Sequence, residues 1–271
     1  MDSVDSGASG RMSETQWKIE VLVPGDWRGA TSCLLSLNSH HLLVDTGASH
    51  EDSLIVAALE RRGLRPADIS TVINTHFHID HVMNNCVFSQ SRIYATQESY
   101  DWAGSLYADL LDEAQWERLV LKYYPEALEY ERARGNMAKL RKLGLRWWDR
   151  KRLGAPGQYR WLETHALPEG LQIARTSGHV PGHISVLVDQ ANPPTVIAGD
   201  ALLTSDHDDR VLTMIAQNRE QAQRDRALIL SRPGLIIPGH DQPFVNGPSA
   251  GTAPARSAPL PRGETSTPFS R

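Results

Sequence analysis

Residues 75–81 read THFHIDH, so three histidines and one aspartate fall within six consecutive positions. With this chain's own His and Asp frequencies, such a cluster arises by chance about once in a thousand sequences. Neutral imidazole and carboxylate groups are typical ligands of zinc, iron and manganese. The alternative is a solvated polar loop, and matching residues further along the chain argue against it. The cluster therefore predicts half of a metal site.

Three later residues complete the predicted site. His179, Asp200 and His240 each come shortly after a run rich in apolar and β-branched residues, as the cluster itself does. Loops that follow the strands of an α/β sheet meet at one edge of the sheet, where sites of this class usually lie. With the four donors of the cluster, the chain offers seven candidate ligands. Seven are too many for one tetrahedral ion and suit two ions.

Strand-like and helical patterns alternate through the part of the chain predicted to fold, residues 15–246. Period-2 and apolar runs predict strands at 17–23, 32–37, 41–44, 71–74, 92–95, 171–176, 184–188, 195–198 and 235–237. Helical spacing of apolar residues predicts helices at 51–62 and 217–230. Strands mixed with helices in two halves predict a layered α/β sandwich.

One long region breaks this alternation. Residues 97–167 are helix-rich and contain five of the seven tryptophans. We interpret them as a helical insertion between the two halves that lies over the active site, with plain packing or a homodimer face as the alternatives. Residues 1–14 and 247–271 are rich in small and polar residues and are predicted to be disordered.

Composition excludes several classes of protein. The net charge of −4 and the pI of about 6.3 give no general attraction to nucleic acid or to membranes. No apolar run is long enough to span a bilayer, and residues 1–14 lack the apolar core of a secretion signal. Cys33 and Cys86 are expected to be two buried thiols. These features predict a cytoplasmic location.

Five motifs together resemble the metallo-β-lactamase superfamily, in its glyoxalase II-like and lactonase-like branch. They are VDTGAS at 44–49, THFHIDH at 75–81, TSGHVPGH at 176–183, GDA at 199–201 and PGH at 238–240. The motifs span most of the region predicted to fold. The resemblance implies a four-layer αββα sandwich with two metal ions in a groove at its edge.

The resemblance also implies a role for each candidate ligand. One ion would be held by His76, His78 and His179, the other by Asp80, His81 and His240, and Asp200 would bridge both. Asp45 matches an aspartate that supports the site without binding metal. The cofactors expected are two divalent ions, zinc first, with iron or manganese as alternatives.

The remaining histidines are expected to have no part in metal binding. His183 resembles a motif histidine that is not a ligand, so we expect a structural role. Surface or capping positions are expected for the others, which are His40, His41, His50, His165 and His207.

The predicted activity is hydrolysis of an ester, lactone or thioester. Two ions that share a water lower its pKa, so a metal-bridging hydroxide is the expected nucleophile. Asp80 is the predicted catalytic residue, which orients that water or accepts its proton. The alternatives are phosphodiesterase or nuclease activity, or promiscuous β-lactamase activity, at the same two-metal site. A degenerate binding or redox member is a further alternative, and the complete ligand set argues against it.

The substrate is predicted less closely than the reaction. Acyl-homoserine lactonases resemble this arrangement but commonly have a tyrosine three residues after the bridging aspartate, where this chain has Leu203. The tail after His240 lacks the basic glutathione-binding residues usual in glyoxalase II-type enzymes. The basic stretch 132–152 is either a solvated helix face or an attraction for an anionic small molecule. We expect a small-molecule substrate and neither a membrane nor a nucleic-acid partner.

Overall fold

A computed structural model describes residues 16–247, except for 27–28, 148 and 207–214. Most of both predicted tails therefore lies outside the described residues, as does His207. Within the described part, no helix is long and apolar enough to cross a lipid bilayer.

The first half of the chain builds a six-stranded sheet with strands in sequential order. The strands are β1 (Lys18–Val23), β2 (Ser32–Leu37), β3 (His40–Val44), β4 (Ile69–Ile73), β5 (Arg92–Ala95) and β6 (Tyr159–Trp161). The first three strands are antiparallel neighbours, and β3 to β6 are parallel. The parallel strands are joined by helical connections, as parallel pairing requires.

The second half builds a five-stranded sheet in the order β11-β10-β9-β8-β7. Its strands are β7 (Gln172–Arg175), β8 (Ile184–Val188), β9 (Thr195–Gly199), β10 (Gly234–Pro238) and β11 (Phe244–Asn246). Strand β8 is antiparallel to both β7 and β9, while β9 and β10 are parallel. Strands β7, β9 and β10 consequently run in one direction and end at the same edge of the sheet.

The seven helices are α1 (Asp52–Glu60), α2 (Ile79–Val82), α3 (Gln97–Leu111), α4 (Trp116–Val120), α5 (Pro125–Ala133), α6 (Met137–Trp147) and α7 (Arg219–Leu230), all within the described ranges. Helices α1 and α3 pack on the outer face of the first sheet. Helix α7 packs through Ile229 on the outer face of the second sheet. The two inner faces bury a common apolar core between the sheets. These four layers confirm the predicted αββα sandwich.

The buried layers explain the sequence of the central strands. Strand β8 is buried at all five positions, because the intersheet core covers one face and the α7 layer covers the other. Strands buried on both faces appear as continuous apolar runs without alternation. A backbone hydrogen bond of 3.0 Å from Ile184 N to Thr75 O joins the start of β8 to the loop after β4. The edges of the two sheets that carry the predicted ligands therefore lie next to each other.

All nine predicted strands and both predicted helices are present, with ends that differ by a few residues. Strands β6 and β11 were not predicted. The region 97–167 contains helices α3 to α6 and then strand β6, which pairs with β5. The predicted division of the chain into one domain with an insertion stays a prediction.

Candidate metal centre

Three imidazole nitrogens converge in the first group of predicted ligands. His78 Nδ1 lies 2.8 Å from His76 Nε2 and 3.0 Å from His179 Nε2. Asp200 Oδ2 lies 3.3 Å from His179 Nε2 and 3.8 Å from His76 Nε2. Four donors held at zinc–ligand distances in a tetrahedron lie roughly 3.3 Å apart. The spacing of this group therefore fits a single metal ion.

Asp80, His81 and His240 form the second group, and Asp200 reaches it with its other oxygen. Asp200 Oδ1 lies 3.2 Å from His81 Nε2 and 3.4 Å from His240 Nε2. Asp80 Oδ2 lies 3.4 Å from His240 Nε2 and 4.0 Å from His81 Nε2. All seven predicted ligands thus lie in two adjoining groups. Their binding of metal stays a prediction.

Two polar atoms that face each other in the centre make no hydrogen bond within the described part of the chain, although they lie 3.2 Å apart. Among the described residues, His81 Nε2 and Asp200 Oδ1 are buried without a hydrogen bond. The ion pairs of Asp200 are all with histidines of the two groups. A buried polar group left unsatisfied costs about 1–3 kcal/mol. A divalent cation between these atoms would remove that cost, so the residues present fit a bound metal.

The histidines of the two groups have pKa values shifted in opposite directions. Burial lowers the pKa of all three histidines of the first group, that of His78 to about 4. Burial also opposes the charged forms of His81 and His240, but nearby carboxylates favour those forms more strongly, and Asp200 has the largest effect among them. They raise the pKa of His81 well above its usual range and that of His240 to about 9. A cation would enter the first group without displacing protons and would release protons from the second.

Asp45 holds His81 from the side opposite the predicted metal. It is buried at the end of β3, with a positive φ of 58° that turns the chain toward the site. Asp45 Oδ2 lies 2.7 Å from His81 Nδ1, and its two oxygens accept hydrogen bonds from the backbone N–H and the hydroxyl of Thr75. Because a carboxylate only accepts, Nδ1 keeps its proton, and Nε2 is the nitrogen that can lose a proton and bind a metal. This geometry agrees with the supporting role expected for Asp45.

His183 is used to hold two loops together. Its Nε2 accepts a hydrogen bond of 3.0 Å from the backbone N–H of Asp200, and its Nδ1 lies 2.8 Å from Thr176 Oγ1. Both ring nitrogens are therefore engaged by protein atoms. Burial lowers the pKa of His183 to about 3, so the ring stays neutral. The expected structural role agrees with these contacts.

A glycine is required where the loop after β10 passes the carboxylate shared by the two groups. A Cβ at Gly239 would lie 2.2 Å from Asp200 Oδ1, closer than any real contact. The N–H of Gly239 donates to Leu202 O at 3.0 Å, and the N–H of His240 donates to Leu203 O at 2.9 Å. The backbone thus fixes His240 against the loop that carries Asp200.

Tyr124 is a contact of the centre that motif reading missed. Its hydroxyl lies 2.5 Å from His78 Nε2, on the ring nitrogen that points away from the other donors. The ring of Trp102 packs edge-on against the His78 ring at 5.4 Å between centroids. Burial is the main reason that the pKa of Tyr124 is well above its usual range. The hydroxyl therefore stays protonated at neutral pH. No local motif marks either residue, because both lie in the helical region far along the chain from His78.

Other candidate residues lie away from the centre. Four arginines of the basic stretch contact other groups of the protein, two of them at exposed positions: Arg132 with Glu129, Arg141 with Leu110 O, Arg150 over the Tyr107 ring and Arg152 with Asn84. His40, His50 and His165 are exposed, and His41 bonds Ser36 at the surface. Cys33 and Cys86 are free thiols, and the expectation that both are buried is wrong for Cys86, which is partly exposed.

A family model and individual relatives match this chain. The model described as the Metallo-beta-lactamase superfamily matches residues 25–240. Metallo-beta-lactamase domain-containing protein 1 of Xenopus laevis is 28% identical over 206 residues, which is 75% of this chain and 67% of that protein. An N-acyl homoserine lactonase of Bacillus sp is 23% identical over 196 residues, which is 70% of this chain and 63% of the lactonase. The chain thus spans about two thirds of the length of these relatives.

Solved structures share the fold. AidC, a dizinc quorum-quenching lactonase in complex with a product, superposes with a TM-score of 0.51 at 18% identity. The superposition covers 80% of this chain and 80% of AidC. At this identity the likeness establishes the arrangement of strands and helices and nothing about the substrate.

Proposed function

The chain belongs to the metallo-beta-lactamase superfamily and is a hydrolase of that kind, and we propose that it uses two metal ions to cleave a small ester, lactone or thioester. The observation that carries the proposal is the Asp200 carboxylate. Its Oδ2 faces the first group of donors and its Oδ1 faces the second. A carboxylate that faces two adjoining donor groups is suited to bridge two ions. Zinc is the metal proposed first, because the donors are imidazole nitrogens and carboxylate oxygens at tetrahedral spacing.

Bound at these donors, two divalent ions would polarise the substrate carbonyl and make water nucleophilic near neutral pH. Asp80 is the residue proposed to orient the attacking water and to accept its proton. Its side chain is 23% exposed, against 3% for Asp200, so it lies on the side of the centre open to solvent. Water adds to the carbonyl carbon, the bond to the leaving oxygen or sulfur breaks, and an acid and an alcohol or thiol are released.

A relative of this chain and one residue near the site both give information about the substrate class. The N-acyl homoserine lactonase of Bacillus sp that is similar to this chain favours a lactone or a related ester. Leu203 brings no hydroxyl to the loop after Asp200 and is itself buried, so the substrate pocket differs from that of lactonases with a tyrosine there. Phosphodiesterase action is the second candidate, because its only support is the basic stretch 132–152, in which four arginines already contact other groups of the protein.

The test compares metal content and turnover in three proteins. The wild type is expected to hold two ions and to hydrolyse members of a panel of lactones and thioesters faster than bis-p-nitrophenyl phosphate. Asp200→Ala should lose at least one ion and lower kcat/KM by about 100-fold or more, as loss of a metal ligand does. Asp109→Ala removes a carboxylate that pairs with Lys122 inside the helical region, and it should keep both ions and the activity.

Two results would contradict the proposal. Full metal content and activity in Asp200→Ala would exclude the bridging role. Faster turnover of the phosphodiester than of every lactone and thioester would favour the phosphodiesterase alternative.

A further inference from the structure

Four of the five predicted histidine ligands have a partner on the ring nitrogen that faces away from the predicted metal, while His179 Nδ1 is buried without one among the described residues. His81 Nδ1 has Asp45, His240 Nδ1 donates to Asp26 O at 2.7 Å, and His76 Nδ1 lies 3.1 Å from Thr75 Oγ1. Such partners fix the tautomer and the ring orientation of a metal-binding histidine. Three of the five predicted histidine ligands thus have their partner within the loops of the sandwich.

His78 has its partner elsewhere. Its Nδ1 faces the donors of the first group, and its Nε2 meets the hydroxyl of Tyr124, which lies between helices α4 and α5. When Nδ1 binds a cation, the ring proton is on Nε2, and this N–H donates a hydrogen bond to the tyrosine oxygen. Because the imidazole stands between the hydroxyl and the donor group, Tyr124 acts on the centre through His78.

Contacts on both sides hold Tyr124 in place. The side chain of Gln217 donates to the carbonyl of Tyr123, and the backbone N–H of Gln217 donates to His179 O at 2.9 Å. Two residues after Tyr124, Glu126 at the start of α5 pairs with Arg219 at the start of α7. The tyrosine is thus anchored to the same segment that anchors the loop of His179.

We propose that Tyr124 is a positioning residue for His78, so that the helical region 97–147 forms part of the metal centre. The inference rests on the proposed function, because it assumes that His78 binds metal. A neutral phenol oxygen accepts a hydrogen bond less strongly than the carboxylate of Asp45 does. Tyr124 therefore orients His78 while it raises the ligand's basicity less than Asp45 raises that of His81.

The experiment compares Tyr124→Phe with Tyr123→Phe. Both variants remove one tyrosine hydroxyl from adjacent positions of the helical region. The hydroxyl of Tyr123 donates to Asp109 at 2.8 Å and touches none of the predicted ligands. The affinity of each protein for Zn²⁺ is measured by competition with a chromophoric chelator. The Co²⁺-loaded proteins are examined for the exchangeable ring N–H of His78 by paramagnetic NMR.

Tyr124→Phe is expected to weaken binding of one ion by about 10- to 100-fold, the range seen when the outer partner of a metal ligand is lost. Its kcat should fall more than its KM rises, and the ring N–H of His78 should exchange faster with solvent. Tyr123→Phe should match the wild type in all three measurements. Unfolding of the metal-free variants should differ little, since each has lost one hydrogen bond.

Equal metal affinity and equal N–H exchange in the two variants would overturn the inference. So would a loss of stability in metal-free Tyr124→Phe with unchanged metal affinity, because that result describes a residue needed only for folding. Failure of the wild type itself to bind metal is a different result, which overturns the proposed function.

Discussion

Asp45 determines which nitrogen of His81 is free for a metal. Its carboxylate holds a proton on Nδ1, so Nε2, which points toward Asp200, is the nitrogen that can lose its proton to a metal. The backbone N–H and hydroxyl of Thr75 hold the carboxylate from its other sides. Asp45 thus specifies the tautomer of His81 without itself being one of the predicted metal ligands.

Asp45→Asn is predicted to reverse this arrangement. The N–H of Thr75 needs the amide oxygen as its acceptor, so the amide NH₂ turns toward His81 and Nδ1 becomes an acceptor. The proton then moves to Nε2 and blocks the metal position. We expect affinity for the second ion to fall by about 10- to 100-fold, measured by chelator competition with metal analysis of the isolated protein.

The matched control is Glu131→Gln. Glu131 is equally buried and accepts a hydrogen bond from the side chain of Asn136 at 2.6 Å, away from the predicted ligands. It should bind both ions as the wild type does. Two tightly bound ions in Asp45→Asn would show that the tautomer of His81 is fixed by something other than Asp45.

The partners of the ligands could be predicted only where a motif contains them. Asp45 and the seven candidate ligands lie within short motifs, so their grouping was predicted from the sequence. Asp26 takes part through its carbonyl oxygen, which every residue has, and its side chain therefore gives no signal. Tyr124 lies 46 positions from His78 and depends on how the helices fold back. Only the three-dimensional structure reveals such pairs.

At the scale of elements, helices α5 and α7 approach each other at their first turns. The Gln217 side chain donates to the carbonyl of Tyr123, just before α5, while Glu126 and Arg219 pair at the surface. The ion pair is exposed and contributes little free energy. The amide of Gln217 is half-buried, so it is the stronger of the two connections.

Gln217→Ala is predicted to loosen α5 while α7 stays intact. Loss of one hydrogen bond of about 0.5–1.5 kcal/mol should speed amide exchange in α5 by roughly 2- to 10-fold. Hydrogen exchange followed by mass spectrometry measures this rate. Gln221→Ala is the control, because the hydrogen bonds of that side chain, to Asp225 and from Arg224, lie within α7. Unchanged exchange in α5 of Gln217→Ala would mean that other contacts hold the helix.

Element prediction failed for the shortest strands. Strands β6 and β11 have three residues each, too few for a period of two to emerge. β6 forms because the chain returns to the free edge of β5, and β11 forms because β10 offers an edge. Such pairings are products of tertiary structure. Longer strands with continuous apolar sequence, such as β8, were predicted with the observed bounds.

For the whole molecule, buried histidines predict how the stability of the metal-free protein depends on pH. Burial lowers the pKa of His78 to about 4 and that of His183 to about 3, from an ordinary value of 6.5. Below pH 6.5 the unfolded chain binds protons that the folded protein excludes. Stability is therefore expected to fall with falling pH, by up to about 1.4 kcal/mol per pH unit for each histidine.

The contribution of His240 to stability changes with pH in the opposite direction. Although burial opposes its charged form, Asp200 and Asp80 raise its pKa to about 9. Its contribution is complete below pH 6.5 and is lost as the pH rises toward 9. The free energy of unfolding of the metal-free protein should thus pass through a maximum near pH 6.5, measured by urea titration at about pH 5, 6.5 and 8. A steady rise in stability from pH 5 to 8 would contradict this assignment.

The order of the chain sets when the centre can form. The loop after β4 and helix α2 supply four donors, and the second sheet supplies His179, Asp200 and His240. Neither half of the chain holds a complete group, so the first group cannot form before Asp200 is synthesised, and the second cannot form before His240 is synthesised. Under the proposed function, an ion held by the complete centre therefore stabilises only chains in which both halves have folded.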